Sequence, residues 1–385
     1  MIDVSSLFDW LVDGAPGATS AAEVVDKMSK DLVAAGVPVE RTAAFVTTLH
    51  PQIVGRAFTW SPGKPVNVGE LSHALLQSEM FLRSPIAHVM THRAPLRFRL
   101  KDGEGTAEYP VLLELAGKGH TDYACFPMLF LSGEGHAVTF STKAPGGFTE
   151  EAVAALARVM RPLSRVAEIL ALRRTAANLL STYVGRNTGE RILAGRIVRG
   201  DIETVRAVIW FSDLRGFTEM SSRLTPREVI DTLNELFECQ VPAIEKRGGE
   251  VLKFIGDGML AIFPIAEGTE TSQLAAAALE AADEAFAALA AHNAKTARPL
   301  QFGLALHVGE IAYGNIGGAN RLDFTAIGSA VNLAARLEGL TGKLGKALLV
   351  SQQLAAHTTR PLEEVGSFEL KGVPGMQRVF APRDL

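Results

Sequence analysis

Two patterns of apolar and polar positions divide this chain. Over the first 170 or so residues, helical spacing alternates with short β-type runs. Ser20-Ala21-Ala22-Glu23 has the form of a capping box, and Val24, Val25, Met28 and Leu32 then recur on one face until Gly36, which predicts the first helix. Strands are expected at Ala43 to Leu49, Val54 to Trp60, Tyr123 to Leu131 and Ala137 to Thr142. The last two are joined through Ser132-Gly133-Glu134-Gly135 as a hairpin, and a helical or irregular stretch lies between the pairs. Thr149, with Glu150 and Glu151, opens a terminal helix that is apolar at Val153, Leu156, Val159, Met160, Leu163, Val166, Ile169 and Leu170. That spacing buries one face. Pro162, lacking an amide donor, should kink this helix or divide it. Further on, Leu172, Ala176, Leu179 and Leu180 extend a seam, either against a second copy or against the same domain.

From Tyr183 the chain is punctuated by Gly185, Gly189, Gly195 and Gly200, a connector suited to bending. Beyond it the pattern becomes an alternation of buried strands and amphipathic helices. Ala207 to Phe211 reads as a strand. Thr225-Pro226-Arg227-Glu228 supplies an N-cap, a first-turn proline and a capping-box glutamate before Val229, Ile230, Leu233, Leu236 and Phe237, hence a helix. Glu250 to Ile255 and Met259 to Phe263 read as strands around Gly256-Asp257-Gly258, which places Asp257 at a tight hairpin tip. Val331 to Arg336 reads as a helix on which Asn332 and Arg336, four apart, share a face.

Bulk properties narrow the class. A chain of 385 residues suits two domains. With 47% hydrophobic and 21% charged residues and a formal charge of -4, it offers no electrostatic reason to bind nucleic acid. Cys125 and Cys239, the two cysteines, fit neither a disulfide framework nor a zinc spacing. Asp3, Asp9 and Asp13 are unlike a secretory leader, and the Ala-rich run from Leu274 to Ala291 is broken by Glu280, Asp283 and Glu284, so no membrane span is expected. A soluble cytoplasmic protein is the expectation.

The candidate chemistry lies in three segments: Ile209 to Thr218 with Asp213, Leu252 to Gly258 with Lys253 and Asp257, and Asp323 to Arg336 with Thr325, Asn332 and Arg336. Any one of these residues alone would be read as a cap, a turn former or a solvated side chain. Together, in this order, the motifs resemble the catalytic domain of the class III adenylate and guanylate cyclases over roughly residues 201 to 385. The resemblance implies a ferredoxin-like βαββαβ core in an α+β protein. It also implies two divalent cations, Mg2+ or Mn2+, on Asp213 and Asp257, with ATP cyclised to 3′,5′-cyclic AMP and pyrophosphate.

Adenine presents an acceptor at N1 and a donor at its amino group, which suit Lys253 and Thr325 respectively. Where the best-known members carry an aspartate, Thr325 stands, so purine selectivity could be looser. Asn332 would orient the ribose and Arg336 would stabilise charge on the α-phosphate. Amides around Phe217 and Thr218 would cradle phosphate, and Lys371 would meet the terminal phosphates. Ser329 stands at a position often acidic in bacterial relatives, with no duty assigned to it. The resemblance further implies a homodimer, with the aspartates and Lys253 from one copy and Thr325, Asn332 and Arg336 from the other. A guanylate or dual-specificity cyclase and a catalytically silent nucleotide-binding sensor are the alternatives. Gly256-Asp257-Gly258 argues against a diguanylate cyclase.

The N-terminal pattern of helices flanking a small antiparallel sheet, with Pro145-Gly146-Gly147-Phe148-Thr149 before the terminal helix, resembles a GAF-type sensor. The expected organisation is a sensor at 1–172 that answers a small-molecule or redox effector, a helical linker at 173–200 and a cyclase domain at 201–385. His88 and His92, at i and i+4, could bind metal or haem in principle, an ordinary helical surface being the simpler reading. Cys125 is most simply a buried apolar residue, with a redox thiol as the alternative.

Overall fold

The computed structural model describes residues 2–48, 53–318 and 321–383, and the chain divides into two compact units, Met1–Leu179 and Leu180–Leu385. Both mix helices with a largely antiparallel sheet. In the first unit the strands are β1 (Arg41–Thr47), β2 (Ile53–Trp60), β3 (Asn67–Ser72), β4 (Leu96–Phe98), β5 (Asp122–Leu129) and β6 (Gly135–Thr142). They pair antiparallel in the order β3-β2-β1-β6-β5-β4. Leu49, expected to end the first strand, lies outside the described residues.

Strand alternation sorts this unit's core into two layers. Ala124, Phe126, Val138 and Phe140 face the helices Ser5–Val12, Ala21–Ala34 and Glu150–Val184. Tyr123, Cys125 and Ala137 face shorter helices at Pro85–His92 and Pro110–Gly117. The helix at Ser5–Val12 precedes the one expected to be first; only Leu7 and Leu11 of its residues are buried, too short a periodic signal to read. The expected capping box at Ser20 is half present. Ser20 Oγ accepts from the Glu23 amide, but the Glu23 carboxylate accepts from the amide of Thr19.

Pro162 does not divide the terminal helix, which is one α-helix of 35 residues. Its missing donor costs about 3 kcal/mol. The face carrying Ala152, Leu156, Val159, Met160, Leu163 and Val166 is buried, and at about 1.5–3 kcal/mol for each large side chain that packing offsets the loss.

In the second unit the strands are β7 (Ile202–Leu214), β8 (Glu250–Ile255), β9 (Gly258–Pro264), β10 (Phe302–Gly318), β11 (Arg321–Ile327), β12 (Leu348–Ser351), β13 (Leu362–Glu369) and β14 (Met376–Pro382). The sheet order is β13-β14-β12-β10-β7-β9-β8, with β11 folded back on β10 and a parallel pairing only between β10 and β12 among the described strands. Central β7 extends well past the expected Ala207 to Phe211. Val208 and Trp210 pack with Phe263, Phe302 and the Ala-rich helix Thr271–Asn293, while Ala207 and Ile209 pack with Ala330 and Ala334 of the helix Ser329–Leu344. Both faces being covered, β7 and β9 read as continuous apolar runs. The helix Pro226–Glu238 carries the complete capping box expected at Thr225 and Glu228. Among the described residues no helix is long and apolar enough to cross a membrane.

Candidate active site

Asp213 sits at the end of β7, where apolar alternation gives way to polar residues. Period-two spacing puts it on the Ile209 side of the sheet, beneath the helix Ser329–Leu344. Its cross-strand neighbours are Gly258 on β9 and Gly303 on β10. A Cβ on Gly258 would lie 3.0 Å from Asp213 Oδ1 and 2.9 Å from the Ser212 carbonyl, and one on Gly303 would collide with Glu338 Oε1 and Thr341 Oγ1. The two glycines let the neighbouring strands and the side chains of Glu338 and Thr341 close in, making a tight notch around the carboxylate.

Asp257 occupies the tip between β8 and β9, after Gly256 at φ +63°. That backbone places its charge close to Asp213, whose carboxyl is pushed up to about 6, first by burial and then by the Asp257 charge. Glu338 adds a third acid from the facing helix. Burial, followed by the Asp213 charge, pushes it up to about 7, against the lowering effect of Thr341 and Arg215. Thr341 Oγ1 donates to Glu338 Oε1 at 3.2 Å, and Arg215 spends a nitrogen on the Lys346 carbonyl at 2.7 Å.

Among the described residues neither Asp213 nor Asp257 has a basic ion-pair partner. Two neighbouring carboxylates, half-buried and without a basic ion-pair partner among the described residues, fit divalent metal in charge and donor type. No group of three or more acids, histidines or cysteines stands within metal-binding reach among the described residues, so the protein would supply these two carboxylates, leaving the remaining positions to oxygen ligands of another source.

The purine-reading candidates lie elsewhere. Lys253 follows a register shift between Val251 and Lys253 on β8, and a bulge of this kind re-aims side chains. Its Nζ is 2.7 Å from Asp323 Oδ2 on β11 of the same chain. Asp323 and Thr325 are two apart on β11 and so share a strand face. Lys253 therefore stands beside the strand that carries Thr325 within the same chain. Thr325 is buried opposite Gly314.

Asn332 and Arg336 are exposed on the helix Ser329–Leu344, and no hydrogen bond or ion pair joins either side chain to the aspartates among the described residues. Glu338, two positions from Arg336, is on another helix face, so the commonplace pairing of those two does not form. Phe217 and Thr218 begin a five-residue helix after Gly216. The Phe217 ring packs on the core, leaving its amide as the group available to a ligand, and Thr218 is exposed. Lys371 is exposed just beyond β13.

The family model for the adenylate and guanylate cyclase catalytic domain matches residues 202–381. These residues form a class III cyclase catalytic domain. Within this region the chain is 35% identical over 165 residues to an adenylate cyclase of Anabaena cylindrica, covering 42% of this chain and 32% of that one. It is 32% identical over 158 residues to the terminal-differentiation specific adenylate cyclase of Dictyostelium discoideum, covering 40% of this chain and 7% of that one. The match therefore spans about a third or less of these relatives' lengths. A bacterial light-regulated adenylyl cyclase shares the fold at 22% identity and a TM-score of 0.50, over 66% of this chain and 84% of that one.

Four features of the cyclase domain were not singled out from sequence: Glu338, Arg215, Gly303 and Asp323. For Glu338 a signal exists. Residues two apart on a helix point in different directions, so Arg336 facing outward turns Glu338 toward the sheet, where Leu337 and Thr341 are buried. For Gly303 there is none, because its role depends on pairing with a strand nearly ninety positions away. Around Lys253 the cyclase domain also exposes Phe254, Ile255 and Leu322.

In the first unit, the His88 and His92 rings stack 4.1 Å apart, and His92 Nδ1 lies 2.9 Å from the His88 carbonyl. Cys125 is fully buried, its thiol pushed up to about 12 by desolvation. A thiol so held is a poor nucleophile.

Proposed function

We propose that the chain is an adenylate cyclase, converting ATP to 3′,5′-cyclic AMP and pyrophosphate at composite sites in a homodimer. The observation that carries the reading is the Asp213–Asp257 pair, two like charges held together and half-buried, with no basic ion-pair partner among the described residues. Asp213 and Asp257 would hold Mg2+ or Mn2+, which when bound acidifies the ribose hydroxyl and neutralises phosphate charge. The ribose 3′-oxygen forms its bond to the α-phosphorus as the bond to the pyrophosphate oxygen breaks, and the hydroxyl proton passes to solvent.

Arg336 donates to the α-phosphate, whose negative charge grows in the transition state, and Asn332 fixes the ribose. Lys253 donates to adenine N1 and Thr325 accepts from the amino group. Lys371 and the amides of Phe217 and Thr218 hold the outer phosphates. One copy would supply the aspartates and its partner Lys253, Thr325, Asn332 and Arg336. Support comes from the intrachain contact of Lys253 with β11 and from the unpaired exposure of Asn332 and Arg336.

The first unit is read as a GAF-like sensor that regulates the cyclase domain, on the strength of its six-stranded antiparallel sheet between helical layers. The deciding experiment gives purified chain ATP or GTP with Mg2+ or Mn2+ and quantifies cyclic nucleotide and pyrophosphate beside Asp213→Ala. Cyclic AMP absent from the variant is expected. Cyclic GMP alone would replace the substrate assignment, and no cyclic product from a proven dimer, with or without residues 1–172, would leave the silent nucleotide-binding reading.

A further inference from the structure

The first unit contains a cavity of about 350 Å³ between β1, β2 and the later turns of the helix Glu150–Val184. No residue of the cyclase chemistry lines it. Its floor is apolar, made by Val46, Phe58, Leu170 and Ala171, while its mouth gathers Arg56, Arg173 and Arg174. The volume falls in the range of small-molecule sites, and an apolar lining with a few convergent polar groups is their usual make-up.

The charges at the mouth are incompletely answered. Arg56 Nη2 bonds Glu70 Oε1 at 2.8 Å, but its Nε is buried without a hydrogen-bond partner among the described residues. Arg173 and Arg174 have no acidic partner among the described residues. Three guanidinium groups around one opening repel one another unless an anion joins them, and a buried orphan donor calls for an acceptor. Beside the cavity a side-chain tie joins the residue after β1 to the helix, Thr48 Oγ1 to Thr175 Oγ1 at 3.1 Å.

We propose that this cavity binds a small organic anion with an apolar body on the floor and a carboxylate or phosphate head at Arg56, Arg173 and Arg174. The helical wall of the cavity continues to Val184, beyond the first unit's last residue. An occupant bridging β1 and β2 to this helix therefore stiffens the segment that leads covalently into the cyclase domain. Binding itself does not depend on the cyclase assignment, so the two readings fail separately.

The test titrates full-length protein with octanoate and octyl phosphate, and with octanol and inorganic phosphate as controls lacking the head or the body, by calorimetry at low ionic strength. Saturable binding of at least one amphiphile, about tenfold or more tighter than either control, is expected. The double variant Arg173→Ala, Arg174→Ala should weaken it about tenfold or more without moving the melting temperature, and Leu170→Trp should block it by filling the floor. Preference between octanoate and octyl phosphate identifies the head. Absence of saturable binding by both, equal binding of octanol, or indifference to the arginine variant would overturn the proposal. The arginine variant decides even if Leu170→Trp fails to fold.

Discussion

Buried charge is handled differently in the two units. In the first, Asp122 is almost fully enclosed yet receives Arg97 Nη2 at 2.9 Å and the Phe148 amide at 3.0 Å. Glu168 receives the Leu131 amide at 2.7 Å and pairs with Arg165 at 2.6 Å. His120 and His136 are each pushed down to about 4, burial being the first cause, and so are neutral in ordinary buffer. In the second unit, Asp213, Asp257 and Glu338 converge with little to balance them, and Asp213 and Glu338 are pushed up. Where polar groups complete one another they hold the fold together. Where they are left in conflict, as around Asp213, they are prepared for something that arrives from solution.

The sharpest way to break this contrast is to remove one acid from each unit. Asp213→Ala should lower cyclic nucleotide formation by about a thousandfold or more with little loss of stability. Asp122→Ala should instead cost about 3–5 kcal/mol in denaturant unfolding, because Arg97 is left without its buried partner. Equal effects of the two on stability would erase the distinction.

Next in size is complementation. If the two residues come from opposite halves of each composite site, as proposed, Lys253→Ala coexpressed with Asp257→Ala should restore about half of one dimer's capacity in mixed dimers. Lys253→Ala with Arg336→Ala should restore nothing. The reverse pattern, from proven heterodimers, would return Lys253 to the aspartates.

The pH response should differ in sign. Asp213 and Glu338 bind protons more tightly folded than unfolded, so without cation their contribution weakens stability as pH rises from 3.8 to about 6 and from 4.5 to about 7. His136 does the opposite: its folded value lies below 6.5, so stability falls as acid takes the pH from 6.5 toward about 4. Added Mg2+ should therefore raise the melting temperature of the second unit more near pH 7 than near about pH 5 and leave the first unit unmoved. The smallest effect belongs to Asp323→Asn. It loosens a partly exposed bridge worth about 0.2–1 kcal/mol, which should raise KM for ATP up to about fivefold while sparing kcat.

Legibility followed the same divide. Asp213, Asp257, Lys253, Asn332 and Arg336 announced themselves because each lies in a short contiguous motif, with strand or helix patterning around it. The complete capping box at Thr225 shows how much a local signal can specify. The notch did not announce itself, since Gly258 and Gly303 act only once three strands are in register. Nor could the partner of Lys253 be read, because it depends on a bulge in β8 and on β11 folding back along β10. In the first unit the four longer strands were visible as short apolar runs bounded by turn residues, whereas β3 and β4 were missed. β3 exposes most of its residues and β4 has three, leaving little alternation to detect. Pro162 misled for a related reason: its local cost was evident, but the packing that outweighs it is spread over many residues.

Phe254, Ile255 and Leu322 give the catalytic unit a greasy rim beside Lys253. If a second chain covers that rim, cyclase output is governed by mass action as well as by turnover. Below the dissociation constant, halving the concentration of chains would quarter the number of working sites. A cell could then silence the protein by dilution or modest degradation alone, and an assay at nanomolar enzyme could report inactivity for a catalyst whose every residue is sound.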